Sequence, residues 1–244
     1  MIDAGFSMRQ TKERMRMHNV YMKNISDVLL THLDRDHFNP AWCRTLLHMG
    51  IAVHLHERHL HRAIRAGLDR SILRPFKSSI EFDTVQIETL HMAHDELGTV
   101  GFVFTYIDCG NRFGFATDLG RVPKSLLDTF VKLDILAIES NYDPTMQQMS
   151  GRPEFLKDRI MGGSGHLSNE ESLEAVRRIS ESSSLKHIVL LHLSRQCNAP
   201  SIIRDLYQTK LAHLDPLLTI TDQDRCSRLL KLEKKHSILP VSLL

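Results

Sequence analysis

The feature that most constrains this chain is the crowding of polar side chains within residues 28–40, VLLTHLDRDHFNP. A short apolar run is followed by two histidines and two aspartates in six positions, namely His32, Asp34, Asp36 and His37. Carboxylates and imidazoles held this closely are costly unless positive charge lies among them. A pair of divalent metal ions would supply that charge, so the rest of the chain should supply further ligands.

Outside this cluster the sequence has the pattern of an α/β domain. Short apolar or alternating runs predict strands, and periodic runs that begin at capping residues predict helices. The predicted strands are 27–31, 51–57, 112–117, 134–140 and 187–194, with consecutive strands between 80 and 107. The predicted helix boundaries are capping boxes of Ser7 with Gln10 and of Ser168 with Glu171, a stop at Gly50 and a cap at Asn198. No repeat or linker divides the sequence, and we expect one domain over residues 1–244.

More histidines and aspartates follow other predicted strands. His94 follows the strand 85–92, Asp118 follows 112–117, and His192 follows 188–191. The carboxyl ends of strands meet at one edge of an open α/β sheet, so these side chains should converge with the first cluster. Two metals about 3.5–4 Å apart need such a set of nitrogen and oxygen donors, and a set without thiolate suits Zn, Mn or Fe.

Composition excludes several other classes of protein. The 31 basic and 29 acidic residues nearly balance, which leaves no footprint for binding a long duplex by charge alone. The four cysteines are scattered and show no zinc or redox spacing. No apolar run approaches the ~20 residues of a membrane span, and the N-terminus lacks a signal-peptide layout. We therefore expect a cytoplasmic protein without a membrane partner; no feature of the sequence indicates an oligomeric state.

The order of these motifs resembles the metallo-β-lactamase superfamily. The matching features are the run from His32 to His37, the lone His94, Asp118 after FAT, and His192 after an apolar strand. Four further segments are similar to the YycJ/WalJ-like branch: IDAGFS near the start, ESNYD at 139–143, HLSNEE at 166–171 and LHLSRQCN at 191–198. The resemblance extends from Met1 to about Leu218 and implies an αββα sandwich with a dinuclear metal site on one edge.

The resemblance also implies a role for each residue. One metal would be held by His32, Asp34 and His94, the second by Asp36, His37 and His192, and Asp118 would bridge both. Asp3 would steady the metal loop without binding metal. Asp36 and His166 are the expected catalytic residues, and a hydroxide between the metals would be the nucleophile. The implied reaction is hydrolysis of a phosphodiester, in a nucleic acid or a small phosphodiester, with a DNA nuclease as its most specific version.

Substrate binding is predicted around His166. It precedes the predicted start of a helix at 169–182, where free N–H groups and the helix dipole favour an anion. His166 could therefore hold a phosphate oxygen or protonate the leaving alkoxide. Arg195 and Arg159 are further candidates for contacts with phosphate.

The sequence departs from the family pattern at two places. Asp34 stands where most of the superfamily has histidine, and this harder, anionic ligand should favour Mn, Fe or Mg relative to Zn. Family members usually begin with a strand and a turn before IDAG, which here starts at Ile2. Without that hairpin, or with a start placed too late, we expect an unpaired sheet edge.

Other interpretations of the sequence stay open. His54, His56 and His59 imitate a ligand motif, but the first two share one face of a strand, and we expect surface or rim histidines. With the same metals the enzyme could hydrolyse a carboxylic ester, thioester or lactam, because the fold does not fix the substrate. A di-iron redox protein or a relative that retains metal only as a structural staple are the remaining alternatives.

Overall fold

The computed structural model describes residues 1–233. Its strands are β1 (Asp27–Leu29), β2 (Ala52–His56), β3 (Leu73–Phe76), β4 (Ser79–Glu81), β5 (Val85–Met92), β6 (Thr99–Tyr106), β7 (Arg112–Ala116), β8 (Ile135–Glu139), β9 (His187–Leu191) and β10 (Leu218–Ile220). Its helices are α1 (Met8–Arg16), α2 (Cys43–Met49), α3 (Leu60–Arg65), α4 (Lys124–Thr129), α5 (Pro144–Met149), α6 (Glu154–Met161), α7 (Asn169–Glu181) and α8 (Pro200–Lys210). Within these residues no helix has the length and apolar character of a membrane span. The domain predicted over 1–244 includes residues 234–244, which lie outside the described part.

The strands form two sheets. The smaller sheet is parallel and has the order β1-β2-β3. The larger sheet has the order β10-β9-β8-β7-β6-β5-β4; it is parallel from β10 to β7 and antiparallel from β7 to β4. The parallel half therefore brings the carboxyl ends of β7, β8 and β9 to one edge, where the sequence placed Asp118 and His192.

Alternating side chains separate the layers of the fold. In β1, Val28 faces a core shared with α2 and α3, while Leu29 faces a core between the two sheets. In β6, Phe102 belongs to the core between the sheets, and Val103 belongs to the core beneath α4, α7 and α8. Successive side chains of a strand point to opposite faces of the sheet. Each sheet is therefore packed against helices on one face and against the other sheet on its second face. This is the predicted αββα sandwich.

Local signals at the helix ends give mixed outcomes. The capping boxes of Ser7 with Gln10 and of Ser168 with Glu171 are confirmed, and Gly50 ends α2 with a φ of 64°. The predicted cap at Asn198 is wrong, because α8 begins after Ala199 without a side-chain cap. The Asn198 amide instead donates to the carbonyl oxygens of Ser140 and Asn141, which ties the start of α8 to the end of β8. The neighbouring strand thus competes successfully for the side chain.

The start of the chain covers the outer edge of β1. Ile2 pairs in parallel with Leu29; Leu29 N–H donates to Met1 O at 2.8 Å, and Asp3 N–H donates to Leu29 O at 2.9 Å. The expected unpaired edge is therefore not found at β1. This pairing also places Asp3 beside the loop that follows the strand.

The three histidines that imitate a ligand motif, His54, His56 and His59, lie inside the protein. His54 and His56 do share one face of β2, but that face packs against the second sheet, and both side chains are buried. His54 bonds Asp27 at 2.7 Å, and His56 contacts the rings of Phe76 and His91. His59 is also buried. The prediction of surface or rim histidines is wrong, since the face of a strand that meets a second sheet cannot be recognised from one strand alone.

Candidate metal centre

The structure brings all seven predicted metal ligands to one edge of the sandwich. Their donor atoms fall into overlapping groups, each within 4.8 Å. The groups are His32, Asp34 and His94; Asp36, His37 and His192; His32, His37 and Asp118; and Asp118, Glu139, His166 and His192. The first two groups are the two ligand sets expected from the sequence, and Asp118 joins the others. The grouping supports two adjacent positions for metal ions.

Asp118 lies at the centre of the cluster and is almost fully buried. Its Oδ2 is 2.7 Å from Nε2 of His37, and its Oδ1 is 3.8 Å from Nε2 of His94 and 3.6 Å from Nδ1 of His192. Each carboxylate oxygen thus faces a different part of the cluster. Asp118 thus lies between His94 of one predicted ligand set and His37 and His192 of the other.

Hydrogen bonds fix the orientation of His32 and His37. The Thr31 hydroxyl donates to Asp3 Oδ2 at 2.9 Å and is 3.0 Å from His32 Nδ1, so it accepts the proton of that nitrogen. Nδ1 of His37 donates to Asp3 Oδ2 at 2.7 Å. Both rings therefore direct Nε2 towards the cluster. Asp3 lies behind the ligands, where its carboxylate accepts from Thr31 and His37.

His94 and His192 are oriented by the same principle. Nδ1 of His94 donates to the carbonyl oxygen of Gly165 at 3.0 Å, and Nδ1 of His192 donates to Glu139 Oε1 at 3.0 Å. Because carbonyl and carboxylate oxygens only accept, Nδ1 carries a proton in both rings, and in the neutral ring the lone pair lies on Nε2. Four imidazoles thus present the same nitrogen to one centre.

Two of these nitrogens have no hydrogen-bond partner. Nε2 of His32 and Nε2 of His37 are buried and unsatisfied among the described residues. His37 Nε2 is close to Asp118 Oδ2 but is not well directed towards it. Unsatisfied buried nitrogens are rare and costly in native proteins. A divalent cation would satisfy both, so the residues present fit a metal centre.

The negative charge of the carboxylates in the cluster also favours the binding of cations. Burial disfavours charge on His37 and His192, but the carboxylates around them prevail and raise their pKa values to about 11 and about 10. The hydrogen bond from His192 lowers the pKa of Asp36 to about 2. Burial opposes ionisation of Asp118, yet His192 and His37 hold its pKa well below the usual range. Without metal, the added protons on His37 and His192 offset part of the carboxylate charge, and metal ions would replace these protons.

Backbone strain is concentrated at this site. Among the described residues, five non-glycine residues have positive φ, and three belong here: Asp3 at 53°, Asp118 at 55° and His192 at 58°. Such conformations cost about 1–3 kcal/mol each and persist where the surroundings impose them. Gly5 meets another constraint, because a Cβ at this position would lie 1.6 Å from the carbonyl oxygen of Asp36. The N-terminal segment thus packs directly against the loop that carries Asp36 and His37.

Glu139, at the end of β8, is a site residue that was not predicted from the sequence. Its carboxylate is fully buried and accepts from Nδ1 of both His166 and His192, at 2.8 and 3.0 Å. Burial opposes its ionisation, but these contacts lower its pKa. The missed signal was its place at a strand end, the same rule that selected Asp118 and His192.

The structure places His166 in the site for a different reason from the one expected. The start of α7 is occupied by its own capping box, in which Ser168 N–H donates to Glu171 and Glu171 N–H donates to Ser168. The N–H of Asn169 donates to Tyr142 O. The prediction of free N–H groups for an anion is therefore wrong at these positions. His166 is held instead by Glu139, and its Nδ1 lies 3.4 Å from Asp118 Oδ1.

An arginine accompanies the unusual carboxylate of Asp34. Arg62 of α3 donates from Nη2 to Asp34 Oδ1 at 2.5 Å and from Nη1 to Asp95 Oδ2 at 2.8 Å. The other oxygen of Asp34 is 3.9 Å from Nε2 of His32. The Arg62 guanidinium thus holds one oxygen of Asp34, and the other oxygen faces the cluster.

A cavity of about 940 Å³ opens over the site and contains most of the predicted ligands. Arg195 lines it, but its guanidinium forms two bonds of 2.7 and 2.8 Å with Asp224. Arg152 lines it and is held by Gln147. Arg159 also lines it, and its guanidinium makes no ion pair within residues 1–233. The cavity can therefore receive an anionic substrate, with Arg159 as its least engaged cation.

The family follows from a match over most of the chain. A family model described as a beta-lactamase superfamily domain matches residues 1–192. The chain belongs to the beta-lactamase superfamily. Together with the curated relatives below, the match confirms a metallo-β-lactamase superfamily member of the YycJ/WalJ-like branch.

Two curated relatives cover most of this chain. Exodeoxyribonuclease YycJ of Bacillus anthracis is 23% identical over 208 residues, which are 84% of this chain and 77% of the relative. Exodeoxyribonuclease WalJ of Streptococcus pneumoniae serotype 2 strain D39 is 25% identical over 221 residues, which are 88% of this chain and 81% of the relative.

Solved structures share the fold at lower identity. Zn²⁺-bound PqqB from Methylobacterium extorquens has a TM-score of 0.65 and 17% identity, and the alignment covers 95% of this chain and 82% of PqqB. YhfI from Bacillus subtilis, a metallo-β-lactamase fold protein, has a TM-score of 0.63 and 14% identity, with 91% and 83% covered. These likenesses confirm the fold.

Proposed function

We propose that this chain is a metal-dependent phosphodiesterase and, most specifically, a nuclease that acts on DNA. The observation that carries the proposal is the position of His166. It is held by Glu139 and faces the same cavity as the imidazoles and carboxylates around Asp118. Cleavage of a phosphodiester is favoured by a proton donor for the leaving group beside cations that bind the phosphoryl oxygens.

The metal ligands of the proposal are the two sets that the structure brings together. His32, Asp34 and His94 would hold one divalent ion and Asp36, His37 and His192 the other, with Asp118 between them; Zn, Mn and Fe all suit these donors. When bound, the ions would supply positive charge to the phosphoryl oxygens and activate water. Arg159 would attract the phosphate, and Arg195 would first have to leave Asp224.

His166 would act as general acid. The Glu139 carboxylate accepts the proton of Nδ1 at 2.8 Å, which leaves Nε2 to carry the proton that is transferred. The leaving alkoxide takes this proton as its bond to phosphorus breaks. Glu139 would act only through the histidine, as a positioning residue. Asp36, exposed at the cavity and bonded by His192, would combine metal binding with a catalytic role.

The names of the relatives support this choice among hydrolases. YycJ and WalJ are both named exodeoxyribonucleases, and this chain spans 77% and 81% of their lengths. A DNA end would therefore bind in the cavity. Activity on circular and linear DNA of the same sequence distinguishes an exonuclease, which requires an end, from an endonuclease.

The test combines metal analysis with a substrate screen. Freshly purified protein is analysed for metal and then offered linear DNA, circular DNA, RNA, bis(4-nitrophenyl) phosphate, a carboxylic ester, a thioester and a β-lactam. We expect His166→Ala to lower kcat on phosphodiesters by roughly 10²–10⁴-fold, with the metal content unchanged. The control is His48→Ala, since His48 is an exposed histidine of α2. Hydrolysis of the carbonyl substrates alone would refute the proposal, and an unchanged rate would remove His166 from it.

A further inference from the structure

Phe6 is an aromatic side chain held at the edge of the proposed active site. The residue is 45% exposed and lines the cavity that contains the proposed metal-binding groups. The backbone beneath it is fixed, because Gly5 lies against the carbonyl group of Asp36 and the Phe6 carbonyl oxygen accepts from Trp42 Nε1 at 2.8 Å. The exposed ring therefore has a defined position.

One face of this ring is already occupied. The guanidinium carbon of Arg14 lies 4.2 Å from the ring centroid, a cation–π contact. Arg14 is itself held by a 2.8 Å bond to the carbonyl oxygen of Gln223, which also lines the cavity. This contact orients the ring, and the residue remains exposed at the cavity.

Core packing does not account for Phe6. The hydrophobic clusters of residues 1–233 do not include it, although they include other side chains of the N-terminal segment such as Met1, Ile2 and Met8. The helix that follows, α1, carries four basic residues and one acidic residue, and none of its side chains is fully buried. An exposed aromatic ring beside clustered positive charge is the combination that binds single-stranded nucleic acid.

We propose that Phe6 is a stacking platform for a nucleobase of the substrate, next to the phosphodiester that is cleaved. The inference rests on the proposed function and specifies its substrate class as base-bearing, single-stranded nucleic acid ends. Arg14 backs the ring, and the basic side chains of α1 would attract the phosphates of the bound strand. Stacking tolerates all four bases, so the site would favour nucleic acid over other phosphodiesters without reading a sequence.

The experiment compares oligonucleotides that differ by one base. A single-stranded DNA oligomer is used with all bases and in versions in which one nucleotide at a time near the cleaved end is abasic. We expect one abasic position to raise KM of the wild-type protein by about 5- to 150-fold, the range for one stacked base. Phe6→Ala should raise KM for the complete oligomer by a similar factor, and its KM should no longer depend on whether that nucleotide carries a base. Phe6→Tyr should restore both the low KM and its dependence on that base, whereas Phe6→Leu should restore neither.

The control is Tyr106→Ala, since Tyr106 is a similarly exposed aromatic residue (43%) that does not line the cavity. This variant should keep the wild-type KM for every oligomer. An equal loss by Phe6→Ala on complete and abasic oligomers would overturn the stacking site and leave the proposed function intact. If the wild-type protein hydrolyses no phosphodiester, the proposed function fails and the inference fails with it.

Discussion

The buried carboxylate of Glu139 allows a sharp prediction for the variant Glu139→Gln. Oε1 accepts from His166 and His192, while Oε2 accepts from the backbone N–H groups of Leu119 and Leu167, at 2.7 and 3.4 Å. All four partners are donors in the present arrangement. A carboxylate can accept from all of them, whereas an amide has only one acceptor oxygen.

Either orientation of the glutamine leaves two donors facing an NH₂ group. Each unsatisfied buried donor costs about 1–3 kcal/mol, so we expect the free energy of unfolding to fall by about 2–6 kcal/mol. If the NH₂ group faces the two histidines, they can accept from it only by moving the proton from Nδ1 to Nε2. His192 would then lose the lone pair that we assign to metal, and His166 would lose the carboxylate that stabilises its doubly protonated form.

The assay measures urea unfolding, metal content and kcat on the best phosphodiester substrate. The control is Glu171→Gln, which removes the same charge at the start of α7. A glutamine there can still accept from Ser168 N–H and keep the capping box. We expect Glu139→Gln to be less stable than this control and to lower kcat at least tenfold. Equal stability and equal kcat of the two variants would refute the reasoning.

Three further predictions concern the metal ligands and their charges. Asp118→Ala should lose most of its bound metal, because this carboxylate lies between residues of both ligand sets; full occupancy by elemental analysis would show that the assignment is wrong. In chelator-treated protein the raised pKa values of His37 and His192 stabilise the fold fully below about pH 6.5, the ordinary histidine value, and this stability is lost as the pH rises through about 10–11. Tm of that protein should fall between pH 7 and 10, more than Tm of metal-loaded protein, and a flat profile would contradict the charge assignment. Asp34→His should shift metal preference from Mn²⁺ towards Zn²⁺ in competition titrations, and adding Arg62→Met should increase Zn²⁺ affinity in that background; no gain from the second change would show that Arg62 does not set the charge of this site.

Much of the site could be predicted because its residues obey one local rule. His94, Asp118 and His192 each follow a strand within two residues, and the sheet then gathers them without further information. Glu139 obeys the same rule as the last residue of β8, but a lone glutamate in ESNYD did not stand out beside the histidines. Its role becomes visible only when His166 and His192, far apart in sequence, share its oxygen.

Other elements could not be predicted because their sequences carry weak periodicity. Strand β3 contains Pro75 and has buried residues only at its two ends, Leu73 and Phe76, and β10 has only three residues. His54 and His56 carried the right period, but the partner sheet decides whether their face is exposed. In each case the deciding contact joins segments that are distant in sequence, which no local pattern records.

The contact of Arg62 changes the consequence of having Asp34 in place of histidine. From the sequence alone, the carboxylate adds a negative charge to the site. In the structure, the Arg62 guanidinium lies 2.5 Å from one of its oxygens and is itself held by Asp95, which accepts from the N–H groups of Leu97 and Gly98. The added charge is therefore offset, and what remains is the exchange of a nitrogen donor for a harder oxygen. A histidine at position 34 would leave the guanidinium beside the metal without its Asp34 partner, and like charge would then oppose metal binding. For this reason we expect Asp34→His to retain tight metal binding only when Arg62 is replaced as well.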